Sequence, residues 1–487
     1  MLKSRLSKGV FVFSTLWFVR LLAGVVIWIA LFRYFGPEQV GVLAIANAMF
    51  GISALLLIDS DAIVIGRLAK ADSTSLKRIA TVNYALKGTN KLAVAGILAL
   101  VSGIVDSFNQ IDGLRVLLLL LAAKQVVVVF AGPVGPEVLQ GLRRYRELFF
   151  QYMLVILSQA GALALCIWLQ QGLAGYIVWW LILDAIGVLY GWYLFAVIKR
   201  DFGWHLTPLW GHNFSSEAQS IIRTSIPLSF TVALNKIGPH LATVLAGRWF
   251  ELTVVGYLSF ALNVVERAHS GTRASLGTSL LPFFSELLEK GTKNTKDLYE
   301  RGYQTIFVVS AAGIITLVWF AYEVILIVGG VEFLPAVILL QIVSLQLIFR
   351  SPLQVMQMTY LAGEKTLRVL RLSAVKTVTE VSLVFLLARL IDEKGIVLAL
   401  VISHAVYAVC SGWVGFRHLD PTGWRRRCFE LGRDLTTLLG IAIGFIVLGQ
   451  TLEPTLWMKI VIAVFAGLLG VLWVYTARTK GRRAYLY

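Results

Sequence analysis

The run LAGYIVWWLILDAIGVLYGWYLFAVI, Leu173–Ile198, carries one charged side chain, Asp184, and is followed at once by Lys199 and Arg200. A membrane-crossing helix needs roughly 20 apolar residues, so this stretch reads as a span closed at one end by a basic pair. Similar runs fill the chain on both sides, separated by short polar breaks. Of the 487 residues, 58% are hydrophobic and only 15% charged, against about 25% charged in ordinary soluble domains. The mean hydropathy is +0.78. No room is left for a sizeable soluble domain, and the composition belongs to the all-α, polytopic membrane class.

Fourteen helices are predicted, at 9–34, 38–66, 80–104, 114–140, 147–170, 173–198, 221–248, 253–287, 303–328, 334–361, 367–391, 395–416, 433–452 and 455–477. The first is read as retained rather than as a cleaved signal. Lys3, Arg5 and Lys8 imitate a charged leader, but the apolar run behind them is long, contains Arg20 and offers no small-residue cleavage site. Cys166, Cys410 and Cys428 are far apart, without metal-ligand spacing, and read as ordinary helix residues.

Of the 44 lysines and arginines, 28 fall at one alternating set of span ends and only 6 at the other. The rich set includes Arg67, Lys77, Arg78, Arg143, Arg144, Arg146, Lys199, Arg200 and the 478–483 tail. This is the pattern of the positive-inside rule, and it predicts that both termini are cytoplasmic. The net charge of +17 therefore reflects topology, and nucleic acid is excluded as a partner.

Phe35-x5-Gly41-x-Leu43-x2-Ala46 recurs 215 residues later as Phe250-x5-Gly256-x-Leu258-x2-Ala261. Gly175, Ile177, Asp184 and Ala185 align more loosely with Gly395, Val397, His404 and Ala405. Both matches join segments of the same orientation, so a parallel repeat of six helices plus six is expected. Carriers built from such repeats hold substrate between halves that rock in turn. The expected organisation is an N-lobe over 1–200 (helices 1–6), a cytoplasmic linker over 201–220, a C-lobe over 221–416 (helices 7–12), and helices 13–14 with a basic tail over 417–487.

Several of these segments resemble the polysaccharide transporter branch of the multidrug/oligosaccharidyl-lipid/polysaccharide flippase superfamily, which includes the O-antigen flippases. Phe35-Gly36-Pro37-Glu38-Gln39-Val40-Gly41 resembles its turn after the first helix. Val255-Gly256-Tyr257-Leu258-Ser259-Phe260-Ala261 and Leu281-Pro282-Phe283-Phe284-Ser285-Glu286 are similar to the two ends of its eighth. Gly329-Gly330-Val331-Glu332-Phe333-Leu334-Pro335-Ala336 resembles the opening of its tenth, and Leu361-Ala362-Gly363-Glu364-Lys365 the loop behind it. The resemblance implies a flippase for an undecaprenyl-pyrophosphate-linked oligosaccharide in the bacterial cytoplasmic membrane, serving O-antigen or other surface polysaccharide assembly beside a polysaccharide polymerase. One departure is visible. Helix 7 reads Lys236-Ile237-Gly238-Pro239-His240, with no acid where many relatives carry one, which weakens a helix-7 carboxylate as a coupling site.

Charges far from span ends point to the chemistry. Arg20, Lys124, Lys236, Arg267, Arg273, Arg350 and Lys376 lie inside predicted spans, with the acids Asp184, Glu266 and Glu380. A midplane Arg or Lys costs about 2.5–3.5 kcal/mol on the insertion scale, so seven facing lipid would outweigh an ordinary folding stability. They must face a wet cavity, one another or backbone carbonyls, and seven bases outnumber three acids. The expected lumen is cationic and its guest an anion, because guanidinium groups bind phosphate as a planar fork. Arg20, Lys124, Lys236, Arg267 and Arg350 are the substrate-binding candidates. Asp184, Glu266 and Glu380 are the coupling-ion candidates. Plainer readings stand beside these: Lys376 and Glu380, spaced i, i+4, can simply pair on one helix, Arg273 can snorkel to the interface, and Asp59 and Asp61 can pair with Arg67.

No G-x4-G-K-[ST] is present, and no loop offers a catalytic set, so the sequence reads as neither an ATPase nor an enzyme, with no cofactor and no metal. Two neighbouring readings are a lipid II flippase, disfavoured because Arg20 stands nearly alone in helix 1, and a cation-coupled multidrug exporter, disfavoured by the basic lumen and the extra helix pair.

Overall fold

The computed structural model describes residues 2–55, 57–58, 60–68, 71–108, 111–204, 212–289, 310–350, 366–419 and 424–452. Predicted helix 455–477, the basic tail, Asp59, residues 205–211 of the 201–220 linker and the Leu361–Lys365 loop lie outside them. Among the described residues there are helices and no strand. Among the described residues seven helical stretches are long and apolar enough to cross a membrane, and a bent pair makes eight if it is counted as one span.

The helices break where the chain chemistry requires it. Helix α1, Leu2–Leu55, turns at Gly36, whose φ of 69° and ψ of 174° suit a residue without a Cβ. Pro37, lacking an N–H, then opens the next segment at no cost in hydrogen bonding. The predicted helices 9–34 and 38–66 fall on either side of this turn. The long helix Thr366–Leu419 breaks at Ile391 and Asp392, between the predicted 367–391 and 395–416.

Two predicted helices are not continuous. The segment 38–66 ends at Leu55 and resumes as α2, Asp61–Leu68. The interruption is satisfied from a neighbour: Asn90 donates its side-chain amide to the carbonyl of Ile58 at 2.8 Å. Helix α3 carries that asparagine and spans Ser73–Phe108; Asp72 precedes it and accepts the Ser75 backbone N–H at 3.0 Å, a side-chain cap. The segment 114–140 becomes α4, Leu114–Val129, and a six-residue α5, Pro136–Gly141. Between them Gly132 has a φ of 80° and lies flush against the backbone of Gly191, and Pro133 and Pro136 cannot continue a helical ladder. Helix α6, Tyr145–Trp168, and helix α7, Leu173–Phe202, follow, then α8, His212–Trp249, and α9, Leu252–Glu289.

Later, Ser310–Trp319 and Ala321–Val328 meet at a bend of 77° in place of the straight predicted 303–328. Gln341 donates to the carbonyl of Val318 at 3.1 Å beside this bend. The predicted 334–361 begins as a 3-10 turn, Val331–Ala336, containing Pro335 and preceded by Gly330 at a φ of 83°. The last described helix is Trp424–Leu452.

The chain forms two compact units, residues 1–256 and 257–487. In the first, Leu68, Leu76, Ile79, Leu148, Ile198 and Trp204 share one buried cluster. These residues adjoin four of the predicted basic span ends, so those ends are gathered together, as an alternating topology demands. Arg67 there pairs with Glu217 at 2.6 Å, and Arg144 pairs with Glu147 at 2.9 Å and with Asp201. Within this unit the repeat is reciprocal. Gly41 abuts the carbonyl of Leu252, and Gly256 abuts the carbonyl of Pro37. Leu252 and Gly256 stand 215 residues after Pro37 and Gly41, so each copy makes toward the other the contact it receives.

In the second unit, Phe260 and Phe333 rings lie 5.0 Å apart with Gly329 against both, and Trp319 meets Phe445 at 5.0 Å. In both units large apolar side chains are turned outward, among them Leu100, Leu189, Phe230, Leu390 and Val409. An apolar exterior over polar interior pairs is the arrangement a lipid solvent selects.

Candidate functional site

In the first unit, α4, α6 and α7 bring Lys124, Ser158 and Asp184 together. The Lys124 ammonium lies 3.3 Å from Asp184 and over the ring of Trp180, while Ser158 donates to the other Asp184 oxygen at 2.8 Å. Trp180 stacks on Tyr176 with centroids 5.9 Å apart. The lysine is buried, and a buried ammonium needs such partners, since desolvation costs several kcal/mol per ion. A substrate-binding candidate and a coupling-ion candidate are thus partners of each other.

A second cluster rests on the two helix interruptions. Asp61 opens α2 and Glu137 lies in the first turn of α5, where carboxylates gain from the helix N-terminus. Lys87 on α3 bridges them, 2.8 Å from Asp61 and 2.6 Å from Glu137. Asn83, one turn earlier, donates to Glu137 at 2.6 Å, and Ser60 donates to Asn83 at 3.3 Å. Lys91, one turn later, donates to the carbonyl of Val128 at 3.4 Å. Arg20 lies 4.9 Å over the ring of Tyr152, which is within electrostatic reach of Glu137, Asp61 and Lys87. Arg20 and Lys91 make no ion pair among the described residues. The sequence named Arg20 as a substrate-binding candidate but singled out neither lysine nor Glu137. Lys87 and Lys91, four apart inside an apolar span, were the available signal, and Gly132-Pro133 with Pro136 announced the break that frees Glu137.

Lys236 lies exposed on α8, one turn before His240, whose ring covers Gly51.

In the second unit, Lys376 and Glu380 form a 2.5 Å pair with side chains 2% and 0% exposed, the i, i+4 contact their spacing allows. One oxygen of Glu380 is buried without a hydrogen-bond partner among the described residues. Arg350 donates from Nη1 to Glu266 at 2.6 Å and from Nε to Nε2 of His404 at 3.2 Å. Arg267 follows Glu266 on α9 and is half-buried. Each of the three acids named from the sequence therefore holds one of the named bases. Among the described residues no group of His, Cys, Asp and Glu has a metal-binding arrangement.

Helices broken within apolar spans, with ionisable groups collected at the breaks, recur in membrane transporters. The structure superposes on the lipid II flippase MurJ in an inward closed conformation with a TM-score of 0.69 at 12% identity, covering 97% of this chain and 99% of that one. It superposes on an inward-facing multidrug resistance MATE family transporter of the MOP superfamily with a TM-score of 0.66 at 16% identity, covering 85% and 96%. The eukaryotic MATE transporter AtDTX14 matches with a TM-score of 0.57 at 14% identity, over 89% and 98%. The class is thus a multi-pass membrane protein with the fold of the MOP superfamily. Within that class the chain belongs to the polysaccharide biosynthesis protein family, which it matches over residues 6–288. No curated protein matches the chain in sequence.

Proposed function

We propose that this protein is a flippase, a carrier and not an enzyme, which moves an anionic lipid-linked oligosaccharide across the bacterial cytoplasmic membrane by alternating access. The cargo is a sugar chain on undecaprenyl pyrophosphate, destined for O-antigen or another surface polysaccharide, and a polysaccharide polymerase takes it up on the far side. The observation that carries this reading is the surplus of cations along the apolar helices. Arg20 and Lys236 make no ion pair among the described residues, Lys87 and Lys91 stand against the two carboxylates Asp61 and Glu137, and Asp184, Glu266 and Glu380 each hold a base. A surplus of this sign suits phosphate and opposes cationic drugs. Membership of the polysaccharide biosynthesis family and the MOP fold support the same reading. Neither fold nor charge separates this cargo from lipid II, the runner-up; a cation-coupled multidrug exporter stands third because of the charge.

The test is genetic. Deleting the gene should leave lipid-linked oligosaccharide accumulating on the cytoplasmic face and strip the corresponding polysaccharide from the cell surface. Intact surface polysaccharide with no accumulation rejects the proposal, and arrest of peptidoglycan synthesis instead favours the lipid II reading.

A further inference from the structure

The three acid–base pairs are not equivalent. Lys124–Asp184 and Lys376–Glu380 are enclosed on both sides. In the third, the Arg350 side chain is 14% exposed and that of Glu266 is 57% exposed. The guanidinium is held from behind and the carboxylate stands in front.

The anchor behind Arg350 has a definite protonation state. His404 Nδ1 lies 2.8 Å from the carbonyl of Leu400. A carbonyl only accepts, so Nδ1 carries the hydrogen. Arginine only donates, so Nε2, which receives Arg350 Nε–H at 3.2 Å, presents a lone pair. The buried ring is neutral and fixes the guanidinium through its Nε edge. The Nη edge is left to face an anion, and the anion it faces is Glu266, on a different helix and 84 residues away. A guanidinium accepts phosphate in the same fork geometry it uses for a carboxylate.

We propose that Glu266 is a resident counter-anion that holds Arg350 in the empty carrier and is displaced from it when a phosphate-bearing substrate binds. The exchange serves the transport cycle. A guanidinium set among apolar helices is costly without a partner, and a carrier that returns empty would otherwise bear that cost on every cycle. With Glu266 in place the guanidinium stays paired when the carrier is unloaded. A pyrophosphate, with more charge and more acceptor oxygens than one carboxylate, wins the guanidinium when present, and Glu266 retakes it to drive release. The inference rests on the anionic-cargo reading above and adds a residue that competes with cargo instead of binding it.

The probe is inorganic pyrophosphate, titrated calorimetrically into the purified full-length protein in detergent. If the resident carboxylate occupies Arg350 about nine-tenths of the time, removing its charge tightens apparent binding about tenfold. Glu266→Gln should show that gain, Glu266→Asp should bind as the natural protein does, and Arg350→Ala should lose both binding and the gain when combined with Glu266→Gln. Unchanged or weaker binding by a folded Glu266→Gln protein, judged by gel filtration and thermal unfolding, overturns the proposal; if that variant does not fold, Glu266→Ser replaces it under the same criterion. The titration is repeated with phosphatidylcholine vesicles doped with polyprenyl pyrophosphate. A gain for inorganic pyrophosphate without any vesicle binding upholds the exchange but removes the lipid-linked cargo. Binding of the vesicles with no change on Glu266→Gln upholds the cargo and removes the exchange.

Discussion

Lys376 and Glu380 face each other at 2.5 Å in a place with almost no solvent, so their worth is best measured by breaking them in two ways. Lys376→Met leaves a carboxylate buried alone, and removing one partner of a buried pair costs about 3–5 kcal/mol. Lys376→Met combined with Glu380→Leu removes both charges and should recover most of that loss, since apolar replacements of buried pairs are often neutral. Thermal unfolding of the two variants in detergent checks this; a double variant no more stable than the single one would show that the pair is not what the site requires. The spacing alone announced this contact. It could not announce Lys124–Asp184 or Arg350–Glu266, because those partners lie on different helices and only tertiary packing brings them together. Asp61, expected to pair with Arg67, pairs instead with Lys87, while Arg67 takes Glu217; Glu137 was hidden because it sits at a helix start that periodicity reads as helix interior.

Among the elements, the breaks decide what the helices can hold. The turn at Gly36-Pro37 and the break at Ile391–Asp392 coincide with gaps between predicted spans, because Gly-Pro and a charged Asp-Glu-Lys-Gly stretch interrupt the apolar pattern visibly. The break before Asp61 is marked only by the short polar run Asp59-Ser60-Asp61, and Asn90 of a neighbouring helix supplies a hydrogen bond to the interrupted backbone at Ile58. The repeat was legible as a pattern, and the structure gives it a contact. At Gly41 and Gly256 a side chain would run into the carbonyls of Leu252 and Pro37. Gly41→Leu and Gly256→Leu should therefore each destabilise the protein by about 1–3 kcal/mol, the usual cost of overpacking. Gly96, with nothing within 4 Å of its absent side chain, is the control. Gly96→Ala should gain up to about 1 kcal/mol by restricting the unfolded chain. Equal unfolding temperatures for the leucine and alanine variants would contradict the reciprocal contact.

For the molecule as a whole, class and charge were readable from the start, because a lipid solvent forces apolar spans and makes every intramembrane charge conspicuous. The cargo was not, because phosphate chemistry is shared by several lipid-linked sugars and the helices carry no code for the sugar itself. The central claim is that cations of the membrane-spanning helices, Arg20 and Arg350 among them, grip the phosphate of a lipid-linked oligosaccharide and carry it across. The most direct measurement is transfer in vesicles: purified protein reconstituted with a fluorescent oligosaccharide on undecaprenyl pyrophosphate, with the label quenched from outside over time. The account predicts protein-dependent loss of the protected fraction, abolished by Arg20→Ala and by Arg350→Ala at unchanged protein content. Transfer at equal rate by both variants, or by lipid carrying the same sugar without phosphate, would contradict it.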